Sequence, residues 1–369
     1  MTIIDPEERA LIRDGFKRLL SNQCGEEDVR RTMASEEGFD PVLWQAMGEM
    51  GIIGLLVDPD FGGIGAGPVE IEMIMEEAGS ALLGGPLLPS AVLAASLISA
   101  SDEDTRARLL PQLASGEKLA TVALTGEKGT WLPEDVCVQA QLKDDSWEIN
   151  GTSSYVAFAN VAEILLVAAN TPHGLACFEL DSRAAGITIE SLETWDPTLR
   201  LSRIFFDGAK AAILEGVGVD AFNQALDVAR VALAGEQAGA SRRIFDITTE
   251  YIMSRVQFGR PVGGFQAIKH MAADLLIEVE SATSAARAAA QALADEAPDK
   301  DVLINLAAFA CADAFSEVAA TSIQMHGGIA FTWEHIAHLY LRRARADAQL
   351  FGSSDHYREQ YVTALEKAA

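Results

Sequence analysis

Arg255, Phe258 and Gln266 flank a turn written Gly259-Arg260-Pro261-Val262-Gly263-Gly264. An arginine is always charged and offers five donors in a fixed fork. Phe258 adds an apolar face, and Gln266 an amide where the next helix begins. Glycines let the backbone come close to a ligand. A cation, an aromatic and an amide at a turn between two helices suit a phosphate-bearing cofactor. A plain helix hairpin with a solvated arginine would carry the same residues, and residue types alone leave both readings open. A second stretch, Gln324-Met325-His326-Gly327-Gly328, reads on its own as a glycine helix stop. A lone His326 there is structural rather than catalytic.

Taken together, the two stretches resemble the C-terminal signatures of the flavin-dependent acyl-CoA dehydrogenases. The first matches in Arg255-x-Gln257-Phe258-Gly259-Arg260-Pro261 and in Phe265-Gln266-Ala267-x-Lys269-His270, the second in Gln324 through Glu334. Order and spacing agree, and the similarity runs along essentially the whole chain. The resemblance implies an α+β fold: an N-terminal α-helical domain, a middle antiparallel β domain and a C-terminal four-helix bundle. It implies FAD as cofactor and α,β-dehydrogenation of an acyl-CoA thioester. In that reaction a carboxylate removes the α-proton and the flavin takes the β-hydrogen as hydride. By the same resemblance Arg255 contacts the FAD pyrophosphate of a neighbouring subunit, with Phe258 and Gln266 beside it. Gln324, Gly327 and Gly328 would lie along the FAD linker and adenosine. Arg230 falls where the family has an arginine that contacts CoA.

Other family positions are missing. Where Thr-Glu-Pro and then Gly-Ser-Asp are usual, the chain reads Leu124-Thr125-Gly126-Glu127-Lys128-Gly129. Thr125 and Glu127 alone keep polar character. Where Trp-Ile-Thr is usual it has Tyr155-Val156-Ala157; Tyr155 could still stack on a flavin, but Ala157 offers no hydroxyl. The usual base position before the last helix holds Gly352, and the alternative position, before Arg230, holds Ala229. Glu236 lies on the same helical face as Ala229, two turns on and about 10 Å away. It is the best remaining candidate base, followed by Asp227 and Asp355. Its competing reading, which weighs more, is an acid paired inside the bundle or buried with a raised pKa.

The chain thus keeps what a subunit lends to its neighbour's FAD and lacks what it uses on its own. That pattern resembles the non-base subunit of the α2β2 dehydrogenases of bacterial sterol side-chain degradation, whose FAD sits between unlike subunits. The expected partners are an acyl-CoA, a second acyl-CoA dehydrogenase subunit and an electron-transfer flavoprotein or similar acceptor. The alternatives are a homo-oligomer using Glu236, and a non-catalytic assembly protein of the same fold without flavin.

The elements that must position these residues are readable from pattern. A length of 369 residues suits two or three domains. A formal charge of −26 argues against nucleic acid and anionic membranes as partners. No run of about 20 apolar residues, as a membrane span needs, stands out, and no signal-peptide core opens the chain. Four scattered cysteines read as reduced, cytoplasmic residues. Neither they nor the six histidines suggest a metal site. Helical spacing fills residues 1–118, from an Asp5-Pro6 start through segments near 27–35, 40–50, 68–80, 88–99 and 103–115. The glycine-rich Gly62–Gly67 is read as a connector. Strand patterns fill 119–217, with Asn150-Gly151 as a hairpin turn. Ala-rich helices fill 218–369, and Ala234, Gly235, Ala238 and Gly239 suit close helix packing.

Overall fold

The computed structural model describes residues 4–126 and 129–368. Along the chain come α1 (Pro6–Gln23), α2 (Glu26–Ala34), α3 (Pro41–Glu49) and α4 (Pro68–Ser80). A wide π-helical stretch, Leu87–Ala94, then runs into α5 (Ala95–Ser99), and α6 spans Glu103–Ala114. Seven strands follow: β1 (Ala120–Ala123), β2 (Gln139–Lys143), β3 (Ser146–Ala157), β4 (Ile164–Thr171), β5 (Gly174–Asp181), β6 (Ile187–Leu192) and β7 (Leu201–Ile213). Then come α7 (Val219–Ser254), a small β8 (Val256–Gln257) and β9 (Arg260–Pro261), α8 (Gln266–Ala294), α9 (Lys300–His326), α10 (Ala337–Asp347) and α11 (Ser354–Ala368). Helical N- and C-terminal regions thus enclose a β region in sequence. Packing divides the chain differently, into two compact units.

The first unit takes in Met1–Ile12, Arg30–Ile71 and Gly84–Ala229. Its strands pair in a ring, β4–β2–β3–β7–β5 and back to β4, with β1 added to β4 and β6 to β7. Closing the ring removes exposed edges. Most pairings are antiparallel, but β1 and β2 meet β4 in parallel. Asn150-Gly151 is not the hairpin turn. It lies inside β3, where the register against β7 shifts between Ile149 and Gly151. Gly151 has φ 128° there, so its freedom serves a bulge instead. The β2–β3 turn is made by Asp144 and Asp145, with φ 46° and 61°. Short acids tolerate that region better than most residues.

The second unit takes in Arg13–Val29, Glu72–Leu83 and Arg230–Ala369. Here the end of α4 crosses α7 backbone against backbone. A Cβ on Gly239 would stand 1.8 Å from the Glu76 carbonyl oxygen, and one on Gly79 would stand 1.9 Å from that of Glu236. Only glycine permits this approach. Arg13, reaching Glu77 at 2.6 Å and Glu76 at 3.1 Å, adds α1 to the pair. The expectation that no segment passes for a membrane span needs correcting. An 18-residue window within Lys300–Phe331 is apolar and long enough by length and composition. Packing accounts for it, because α9 contacts α8, α10 and α11 and buries Ile304, Cys311, Phe315 and Val318 among them.

Candidate functional site

The α7–α8 turn is built by its glycine and by an unusual Phe258. Val256 pairs with Pro261 and Gln257 with Arg260. Phe258 and Gly259 then turn the chain with φ 53° and 76°, the two left-handed residues of a tight hairpin. An aromatic in that region is strained, and such strain gathers at functional sites. Phe258 is also 92 % exposed. Arg260 lies 3.9 Å above the ring of Phe265, which meets Phe258 edge-on. Arg255, Gln266 and Gln324 are all exposed, and among the described residues none spends its side chain on a hydrogen bond or ion pair.

Gly327 ends α9 with φ 70°. A Cβ at Gly259, Gly327 or Gly328 would meet nothing within 4 Å, so the backbone there stands open. The end of α7 is tied to the end of α9 through Tyr251, which stacks on His326 at 4.5 Å. Around these two ends Met253, Val256, Ile329, Phe331 and Trp333 expose large apolar surface. Uncommitted donors and open glycine backbone on an apolar face suit an anionic, phosphate-bearing group together with a second protein surface.

A second cluster surrounds Arg230. Its Nε donates to the Tyr357 hydroxyl at 3.1 Å, and its guanidinium lies 5.5 Å from the Tyr357 ring centroid. The same hydroxyl donates to the Phe351 carbonyl. Gly352 sits under this ring with φ 139°, and a Cβ there would stand 2.9 Å from the Tyr357 oxygen. The space left beside Arg230, Asp347, Gly352 and Tyr357 is about 10 Å³, room for about one water.

Two of the candidate carboxylates are engaged elsewhere. Glu236 is buried and ion-paired with Arg343 at 2.5 Å, and Arg343 also donates to the Leu83 carbonyl. That geometry matches the paired-acid reading of Glu236. Asp355 is on the surface beside Arg358. One acid escaped the sequence reading. Glu72 is buried, and burial first, with Glu76 adding, pushes its carboxyl up to about 7 against the pull of Arg287 and Arg13. It lies 3 % exposed in the second unit's core. Nothing in its local pattern marks it, since it sits among the apolar residues of α4.

The N-terminal acyl-CoA dehydrogenase domain family matches residues 6–117 and the C-terminal domain family residues 216–365. Acyl-CoA dehydrogenase IpdE2 of Mycobacterium tuberculosis is 32 % identical over 349 residues, 94 % of each chain. The chain belongs to the acyl-CoA dehydrogenase family. Among solved structures, the ChsE4-ChsE5 complex from Mycobacterium tuberculosis superposes with a TM-score of 0.91 at 26 % identity, covering 100 % of this chain and 99 % of that one. The Tcur3481-Tcur3483 steroid ACAD follows at 0.89 and 27 %, covering 98 % of both. The family consists of FAD-dependent oxidoreductases, and FAD is its cofactor.

The residues fit that cofactor unequally. In an acyl-CoA dehydrogenase the first cluster would serve the FAD phosphates, and its free donors and open glycines fit that task. The ring side fits less well. Thr125 is buried and gives its hydroxyl to the Ser154 carbonyl. Tyr155 has φ 58° at a bulge in β3, with its ring against Gly129. Glu127 lies outside the described residues. Gly352, where the family resemblance places the usual base, is crowded by Tyr357 as well as lacking a carboxylate, which gives a sharp expectation. Gly352→Glu should not confer flavin bleaching by acyl-CoA, because the new Cβ meets Tyr357 and the backbone there disfavours any side chain. Stopped-flow absorbance on the assembled enzyme checks this, and a gain of bleaching would show that Tyr357 yields.

Proposed function

We propose that this chain is the non-base subunit of a heteromeric, FAD-dependent acyl-CoA dehydrogenase. Its FAD would lie between unlike subunits, with the partner supplying the carboxylate and the ring platform. The observation that carries this reading is the contrast between two clusters. Arg255, Gln266 and Gln324 point outward and uncommitted, whereas Tyr357 closes the space over Gly352. FAD, when bound, supplies the hydride acceptor. This chain's residues hold its phosphates and, through Arg230, meet the CoA part of the substrate. Likeness to a steroid ACAD and to the ChsE4-ChsE5 complex supports a steroid side-chain acyl-CoA as substrate and an α2β2 assembly. An electron-transfer flavoprotein or similar carrier would reoxidise it, and a cytoplasmic location would suit that exchange.

The test is flavin stoichiometry. Expressed alone, the protein should be colourless or poorly soluble, since its apolar face lacks a cover. Expressed with its partner it should be yellow, with one flavin per two chains. In that complex Arg255→Ala should weaken FAD binding by roughly 10- to 100-fold, as loss of a charged hydrogen bond implies. A yellow, active homo-oligomer with one flavin per chain would overturn the heteromer and return the search for a base to this chain.

A further inference from the structure

Two separate segments supply the proposed FAD contacts, the end of α7 with Arg255 and the end of α9 with Gln324, Gly327 and Gly328. Something must hold them in register, and His326 stands between them. It is 4 % exposed. Its Nδ1 is 2.8 Å from the Ser322 carbonyl oxygen. A carbonyl only accepts, so Nδ1 carries the proton. Its ring stacks on Tyr251, one turn before Arg255, with planes 26° apart. On another side it meets the edge of His335 at 4.5 Å. His335 in turn takes the Ala337 amide on its own Nδ1 at 3.1 Å. The ring therefore bridges α7, α9 and the 327–336 segment.

We propose that His326, as the neutral imidazole, is the positioning residue that clamps the Arg255 end of α7 to the Gln324–Gly328 segment and so aligns the two halves of the FAD-phosphate site. The proposal rests on the reading that these segments hold FAD. The neutral form matters because Nε2 is buried and has no hydrogen-bond partner among the described residues. Protonation there would place a buried N–H against no acceptor and a charge beside His335, a costly arrangement. The groups facing the ring are Tyr251 from α7 and His335 from the following segment, with the Ser322 carbonyl from its own helix. Burial first, and then His335, hold its pKa below the usual 6.5, against the Ser322 bond. A histidine with a depressed folded pKa keeps its contribution above the unfolded value and loses it as pH falls. The stability it contributes is thus full above about 6.5 and falls below that, and the clamp itself opens as pH drops through the lowered native value.

The experiment measures FAD dissociation from the purified holoprotein at pH 7.5 and 5.5, by fluorescence, for wild type, His326→Ala, His326→Phe and Arg255→Ala. Wild type should bind FAD at least fivefold more weakly at pH 5.5. His326→Ala removes the clamp and should weaken binding at least fivefold already at pH 7.5, a loss of about 1 kcal/mol. His326→Phe keeps the stack but takes no proton. It should stay within about threefold of wild type at pH 7.5, the size of one modest hydrogen bond, and lose most of the pH dependence. Unchanged FAD binding in His326→Ala, or the wild-type pH dependence in His326→Phe, overturns the proposal. Should His326→Ala not fold, the pH profile of His326→Phe decides alone. Arg255→Ala separates the two levels of the argument. If it leaves FAD binding intact, the FAD-site reading itself fails, whereas weakened binding in Arg255→Ala with no effect at His326 sinks only the clamp.

Discussion

Gly239→Ala should abolish the native packing of α4 on α7. The added methyl would stand 1.8 Å from the Glu76 carbonyl oxygen and 2.6 Å from its carbon. Both atoms are backbone, so no rotamer change relieves the overlap, and a helix must move. Overpacking a core costs about 1–3 kcal/mol even where side chains can shift. Here we expect about 3 kcal/mol or more. The shift would also disturb the contact at Gly79, whose Cβ site lies 1.9 Å from the Glu236 carbonyl. Urea denaturation of the assembled protein would show a lowered midpoint, or no soluble protein would be recovered. A midpoint within the error of wild type would mean that α4 does not run against α7 in this way.

The second large effect concerns Glu236 and Arg343. Glu236→Ala takes the Glu236 carboxylate away from the guanidinium of Arg343, which is itself 4 % exposed. Breaking a buried pair from one side typically costs about 3–5 kcal/mol. Replacing both partners, as Glu236→Leu with Arg343→Met, should recover part of that loss, because the two charges of the pair are then removed together. Hydrogen bonding to the Leu83 carbonyl is lost in the double variant, so recovery should be incomplete. The same residue tests the location of the base. Glu236→Gln should lower stability yet leave the rate of flavin reduction, per folded complex, within about tenfold of wild type. Full stability with a rate loss of about 10²–10⁴-fold, typical of a removed general base, would identify Glu236 as the base.

Local pattern determined much of this protein. The long C-terminal helices follow from Ala-rich periodic stretches broken by Gly259, Pro261 and Gly327, and the structure ends α7 at Ser254 and α9 at His326. Asp5 was legible as a cap because capping is a contact between near neighbours, and its carboxylate accepts from the Glu7 and Glu8 amides. Arg255, Gln266 and Gln324 each lie on a motif contained in one turn or one helix end, and the structure leaves all three exposed.

Tertiary structure decided the rest. Asn150-Gly151 suits any place that needs a positive φ, so the dipeptide alone could not distinguish a turn from a bulge. The pairing of β3 with β7, more than fifty residues on, made it a bulge. The family resemblance puts Gly352 where a carboxylate is usual, and only the packing of α11 showed that a side chain there would crowd Tyr357. For Glu236 the sequence favoured a buried or paired acid over a base but could not name the partner, which is Arg343 from a helix far along the chain. The difference is physical. Caps, turns and amphipathic faces are set by residues within about one helical turn of each other. A buried charge or an occluded pocket is set by whatever distant segment lies opposite, and the sequence does not say which segment that is until the chain has folded.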